Sequence, residues 1–213
     1  MNPKRIVIFS GGNLSLTYLE ELQSDDFLIG ADKGALFLIE NNLRPHIAVG
    51  DFDSIDPGKL AVIEQHSDKV ISCDPVNKDL TDSELAFDIA LQHNPGQILL
   101  IGVTGTRLDH TLANIQMMNR ALQHNISCAI LDENNYITLT GGKAQVHERG
   151  YTYVSLLPMT PEVTGITLQG FQYPLTNYTL KMGQSRGISN ILQEESGTIT
   201  IESGLLLIIQ SKD

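Results

Sequence analysis

Asp51 and Asp53 flank Phe52 in Gly50-Asp51-Phe52-Asp53-Ser54-Ile55, directly after the apolar run Ile47-Ala48-Val49. If that run ends a buried strand, the two acids emerge at its C-terminal mouth with side chains on one face, about 7 Å apart along the backbone. Two carboxylates brought to about 4 Å at a near-surface dielectric repel by on the order of 4 kcal/mol. A protein that places them together supplies a cation or leaves one protonated. Hard oxygen donors suit Mg²⁺, commonly a Mg²⁺ that arrives with substrate phosphates. Asp-x-Asp-Ser also serves turns and helix caps, so the other loops of the chain decide between the two uses.

Four further stretches carry compatible groups. Asp32 stands in Ala31-Asp32-Lys33-Gly34-Ala35, and Asp79 and Asp82 in Lys78-Asp79-Leu80-Thr81-Asp82. Gly102-Val103-Thr104-Gly105-Thr106-Arg107 offers backbone amides, hydroxyls and a guanidinium ahead of a helix, a favourable phosphate environment. His110 follows as an acid, a base or a phosphate donor. Gly11-Gly12 closes the first apolar run. Neither a Walker A loop nor Gly-x-Gly-x-x-Gly is present.

These loops need elements to hold them. Apolar runs at 6–9, 27–30, 48–49, 70–73, 98–101 and 126–131 read as strands, and they alternate with helical patterns at 14–22, 35–39 and 57–63. Thr81-Asp82-Ser83-Glu84 has the form of a capping box, followed by a buried stripe of Leu85, Ala86, Ile89 and Ala90. Leu108, Leu112, Ile115, Met118 and Leu122 recur at helical spacing. Strands and helices in alternation imply a Rossmann-like parallel sheet covered on both faces, and ligands in such sheets bind beyond the carboxyl ends of the strands. Every stretch named above falls at such an end.

After about Asp132 the composition shifts to strand formers: five of the six tyrosines and ten of the fifteen threonines follow it. Short alternating runs at 136–140, 144–147, 151–157, 163–168, 178–181, 198–201 and 205–210, punctuated by glycine and proline, predict a small antiparallel sandwich or barrel. The expected domains are residues 1–132, α/β, and 133–213, a β-sandwich.

A formal charge of -11 over 213 residues argues against a nucleic-acid or anionic-membrane surface. Cys73 and Cys128 each lie in an apolar segment, as expected of reduced thiols in a cytoplasmic protein. The apolar run after Lys4-Arg5 is too short for a signal-peptide core or a membrane span.

Taken in order, Ala31-Asp32-Lys33-Gly34-Ala35, Gly50-Asp51-Phe52-Asp53-Ser54-Ile55, Asp79-Leu80-Thr81-Asp82, Gly105-Thr106-Arg107-Leu108-Asp109-His110 and Gly187-Ile188-Ser189-Asn190 resemble the successive motifs of the thiamine pyrophosphokinase family. The resemblance implies transfer of an intact diphosphate from ATP to the hydroxyl of thiamine, giving thiamine diphosphate and AMP, with Mg²⁺ required. It implies an α/β catalytic domain that binds ATP and Mg²⁺, a β-sandwich that binds thiamine, and a homodimer. Carried over by position, it makes Asp51, Asp53 and Asp79 metal-associated acids and Asp51, Asp53, Asp79 and Asp82 the catalytic set. Asp32, Thr104, Gly105, Arg107, Asp109 and His110 would line the ATP site, and Tyr173, Ser189 and Asn190 would bind thiamine. Tyr173 falls where many relatives have a tryptophan over the thiamine rings; this chain has none, and the smaller tyrosine face can still stack on a cationic thiazolium. Two rival readings are a Mg²⁺-dependent small-molecule phosphohydrolase with Asp51 or Asp53 as nucleophile, and a non-catalytic nucleotide- or thiamine-binding module.

Overall fold

The computed structural model describes residues 2–52, 56–72 and 80–213. The chain divides into two compact units, Met1–Asp132 and Glu133–Asp213.

Among the described residues of the first unit, six strands pair in parallel: β1 (Arg5–Phe9), β2 (Phe27–Ala31), β3 (Ile47–Gly50), β4 (Lys69–Ser72), β5 (Gln97–Ile101) and β6 (Ser127–Leu131). Their order is β4-β3-β2-β1-β5-β6. Each successive strand from β1 to β4 adds on one side, and β5 and β6 add on the other. The direction of winding therefore reverses between β1 and β5, which opens a crevice beyond their carboxyl ends. Residues 6–9 and 98–101 are buried at every position, as strands covered on both faces must be. By contrast β4 has no buried position, as befits the edge of the sheet.

Among the described residues four α-helices supply the cover: α1 (Lys33–Glu40), α2 (Pro57–His66), α3 (Asp82–Gln92) and α4 (Leu108–Gln123). The first connection is a 3-10 helix, Leu16–Glu21, opened by Ser15, rather than the longer helix its leucine pattern predicts. Arg5 holds this corner, donating to the Asp26 carboxylate through Nε and Nη2 (2.7 and 2.6 Å) and to Glu21 O (2.6 Å). The apolar pattern of α4 also needs correction. Leu108 and Leu112 are 71% and 57% exposed, and the buried face is Asn114, Met117, Met118 and Ala121.

The second unit contains β7 (Asn135–Thr140), β8 (Lys143–His147), β9 (Tyr153–Pro158), β10 (Glu162–Gln169), β11 (Tyr178–Lys181), β12 (Ser196–Thr200) and β13 (Leu206–Ser211). They form two antiparallel groups, β7-β13-β9 and β11-β10-β12-β8. Val154, Leu156, Leu206 and Ile208 from the first pack with Val146, Val163, Ile166, Leu180 and Ile199 from the second. This is the two-layer core that alternating strands produce when each turns one face inward.

Candidate active site

A cleft of about 350 Å³ lies at the crevice between the ends of β1 and β5. Gly11 and Gly12 line it after β1, Asp32 after β2, Thr81, Asp82 and Ser83 at the start of α3, and Gly102 to Arg107 after β5. His110, Thr111 and Asn114 complete it from α4. Arg107, His110, Thr111 and Asn114 are spaced i, i+3, i+4 and i+7, the spacing of one helix face.

The two glycine loops are built against each other. Gly12 N donates to Gly102 O at 2.8 Å, and Ser10 N to Ile101 O at 2.8 Å. Gly102 has φ 70°, and a Cβ there would stand 2.5 Å from Ser10 O. Only glycine fits this backbone and this approach. The loop after β5 is then tied to α4. Buried Asn114 donates Nδ2 to Val103 O at 2.7 Å, Gly105 N donates to Thr111 Oγ1 at 3.4 Å, and Thr111 Oγ1 donates to Arg107 O at 3.2 Å. Gly105 itself faces open space, so its backbone can approach a ligand closely.

Neither acid of the cleft is the side-chain cap of the helix it opens, although Asp82 stands in the first turn of α3, where it complements the helix dipole. Asp32 occupies the N-cap position of α1 but makes no side-chain cap bond, and its backbone lies at φ 51°, ψ -118°. That conformation is rare for any residue with a Cβ. Asp82 opens α3, yet the cap is Thr81, whose Oγ1 accepts from Glu84 N at 3.2 Å. The cap of α2 is Asp56, whose Oδ1 accepts from Gly58 N at 2.8 Å.

The expected site residues distribute unevenly. Asp32, Asp82, Thr104, Gly105, Arg107 and His110 all line the one cleft. Asp51 is half-buried and follows β3 but does not line it. Phe52 is buried with Ala35, Ala48 and Ile63, at φ 54°. The strand ends at Gly50 and the backbone turns left-handed at Phe52, so the extended path expected through Asp51 is broken by a residue anchored in the core. Asp53 and Asp79 lie outside the described residues. Asp109 is absent from the lining and instead clamps Arg107: Nε donates to Oδ1 at 3.2 Å and Nη2 to Oδ2 at 2.6 Å. The Arg107 hydrogen bond holds the Asp109 carboxyl down at about 2, and the arginine is raised in turn.

In the second unit Tyr173 is 57% exposed, and its backbone is held at both ends by one side chain. Asn190 Oδ1 accepts from Tyr173 N at 3.0 Å, and Asn190 Nδ2 donates to Tyr173 O at 2.8 Å. Asn190 is buried, and Oδ1 also accepts from Ile191 N at 2.9 Å. Its amide thus shapes the tyrosine loop. Ser189 is exposed at φ 56°, with its N–H donating to Ser155 Oγ at 3.0 Å.

Sequence reasoning did not assign a role to Ser83, Thr111 or Asn114. The signal was available in the helical spacing from Arg107 to Asn114, but the leucines interleaved with it gave a more conspicuous apolar pattern. Among the described residues no group of three or more His, Cys, Asp or Glu could hold a metal ion. The donors present still suit Mg²⁺, because Asp32 and Asp82 offer hard oxygens in one cleft and a Mg²⁺ bound with substrate phosphates takes only one or two carboxylates.

A parallel sheet with its cleft at the winding reversal, lined by glycine-loop amides, hydroxyls, one arginine and two acids, defines a phosphate-handling α/β enzyme joined to a β-sandwich. The family model for the thiamin pyrophosphokinase catalytic domain matches residues 18–130, and that for the thiamin pyrophosphokinase vitamin B1 binding domain matches residues 143–206. The chain belongs to the thiamin pyrophosphokinase family. It is 34% identical to a thiamine pyrophosphokinase of Bacillus subtilis, over 99% of this chain and 100% of that one. A crystal structure of the Bacillus subtilis enzyme superposes with TM-score 0.91 at 33% identity, covering 99% of this chain and 100% of the other. The structure of a Geobacillus thermodenitrificans thiamin pyrophosphokinase gives 0.88 at 34%, covering 98% of each.

Proposed function

We infer that the protein transfers a diphosphate from ATP to the primary hydroxyl of thiamine, giving thiamine diphosphate and AMP. The observation that carries this is the convergence of two acids and two glycine loops on one cleft, in a chain whose family relationship extends over both units. The thiamine hydroxyl oxygen forms a bond to the β-phosphorus, the bond from that phosphorus to the α–β bridging oxygen breaks, and the AMP oxygen takes the electron pair. The hydroxyl proton passes to a carboxylate; Asp82, in the cleft, and Asp79 are the candidates.

Acids repel phosphates, so they serve here through a cation. Mg²⁺ when bound neutralises the charge that develops on the phosphate oxygens. Asp32 and Asp82 in the cleft, with Asp51, Asp53 and Asp79, would hold it. The open glycine loop after β5, the start of α4 and the Arg107 guanidinium would cradle the phosphates, with Asp109 keeping that guanidinium oriented. Exposed Tyr173 offers a face for the cationic thiazolium, held there by Asn190, with Ser189 beside it in sequence to Asn190. Assembly as a homodimer is what the family resemblance implies. No helix among the described residues is long and apolar enough to cross a membrane. Cys128 is free and buried, which supports a reducing, cytoplasmic setting.

One incubation with ATP, Mg²⁺ and thiamine tests the reaction. AMP and thiamine diphosphate in equal amounts are expected; inorganic phosphate released without dependence on thiamine would establish the hydrolase instead. Binding of both substrates with no product under any metal would establish a pure binding module.

A further inference from the structure

One side chain joins the two helices whose first turns line the cleft, and it stands well behind them. Arg120 lies ten residues beyond His110 on α4, about 15 Å along the helix axis at 1.5 Å per residue, and it is not among the lining residues. Its guanidinium reaches across to α3. Nη1 donates to Glu84 Oε1 at 3.0 Å, and Nη2 donates to the Asp88 carboxylate. The guanidinium carbon is 5.9 Å from the centre of the buried Phe87 ring. Glu84, Phe87 and Asp88 are spaced i, i+3 and i+4, so they share one face of α3. An isolated exposed ion pair contributes little. This fork is different in kind, because one planar donor engages two carboxylates and a ring at once and so fixes orientation.

What it orients is the first turn of α3. Glu84 lies in that turn, immediately after Asp82 and Ser83, both of which line the cleft. The same turn is tied to Thr81 through Glu84 N at 3.2 Å and to buried Ser10, at the end of β1, by Ser83 Oγ donating at 3.0 Å. The cap, β1 and α4 thus hold it from three directions, and the α4 tie comes from the helix that carries His110 and Thr111.

We propose that Arg120 is a positioning residue for diphosphate transfer: without touching substrate, it sets Asp82 and Ser83 against the His110–Thr111 face of α4. The proposal rests on the cleft being the reaction site. It is tested by kcat and KM for ATP and for thiamine, measured below the melting temperature, in Arg120→Met and Arg120→Lys. Arg44→Met, which opens the exposed pair of Arg44 with Asp68, serves as a control. A misplacement on the order of 1 Å costs about 100-fold in rate, so Arg120→Met is expected to lose about 10- to 100-fold in kcat with KM for thiamine little changed. Arg120→Lys, which keeps the charge but not the fork, should fall between it and wild type, and Arg44→Met should match wild type. Wild-type kcat in Arg120→Met, whatever its melting temperature, would overturn the proposal. If Arg120→Met does not fold, Asp88→Asn and Arg120→Lys decide by the same criterion. Absence of product from the wild-type protein would count against the reaction and not against the tie. Amide exchange over residues 80–86 then decides, accelerated at least tenfold in Arg120→Lys if the tie holds that turn and unchanged if it does not.

Discussion

Asp32 holds a backbone conformation, φ 51° and ψ -118°, that costs roughly 1–3 kcal/mol at a residue with a Cβ. It lines the cleft with Asp82. Strain of this kind is retained where a side chain must be presented to something. Asp32→Asn keeps the size of the side chain and removes its charge, so turnover should fall on the order of 100-fold while circular dichroism and melting temperature stay near wild type. Asp109 makes a different prediction. Its carboxyl is held near 2 by the Arg107 hydrogen bond, below its unfolded value of about 3.9. The pair's contribution is therefore fully present above about pH 4 and is lost as pH falls towards 2. Any pH dependence of KM for ATP between pH 5 and 8 must come from another group. Asp109→Asn lets the Arg107 side chain swing. The lost orientation should raise KM for ATP about 2- to 10-fold; steady-state kinetics across that pH range would measure both effects.

At the scale of elements, the cleft depends on how closely α1 and the glycine loops approach β1. A Cβ on Gly34 would fall 1.9 Å from Phe9 O, a backbone atom that cannot move aside. Gly34→Ala should therefore destabilise by about 1–3 kcal/mol or more, read as a lowered urea midpoint with unchanged slope. In the sandwich, Asn190→Ala removes both bonds to the Tyr173 backbone. It should raise KM for thiamine more than KM for ATP; equal effects on the two would contradict the role given to the tyrosine loop.

The elements themselves were largely legible in the sequence. Continuous apolar runs such as Ile98-Leu99-Leu100-Ile101 can only be strands covered on both faces, and the tyrosine- and threonine-rich alternation after Asp132 can hardly be anything but sandwich strands. The site was legible where glycine, acid and threonine gather at strand ends. Side-chain partnerships were not, because nothing in sequence spacing says that Asp109 closes on Arg107, that Asn190 spends its amide on Tyr173, or that Phe52 turns left-handed to reach the core. The α4 stripe misled for a related reason. Leu108 and Leu112 follow helical spacing but stand exposed, while the buried face of that helix runs through Asn114, Met117, Met118 and Ala121, so apolar periodicity there did not report the buried face.

For the molecule as a whole, the net charge of -11 makes a phosphate site costly unless its charges are locally offset. The cleft meets this with loop amides, the start of α4, Arg107 and carboxylates able to hold a cation. The account stands or falls on whether this cleft is where the diphosphate moves. The most direct measurement is thiamine diphosphate formation by Asp82→Asn with ATP, thiamine and Mg²⁺, beside its melting temperature. A loss on the order of 100-fold or more in kcat with the fold intact is the predicted result, and near-wild-type turnover in a folded Asp82→Asn protein would contradict it.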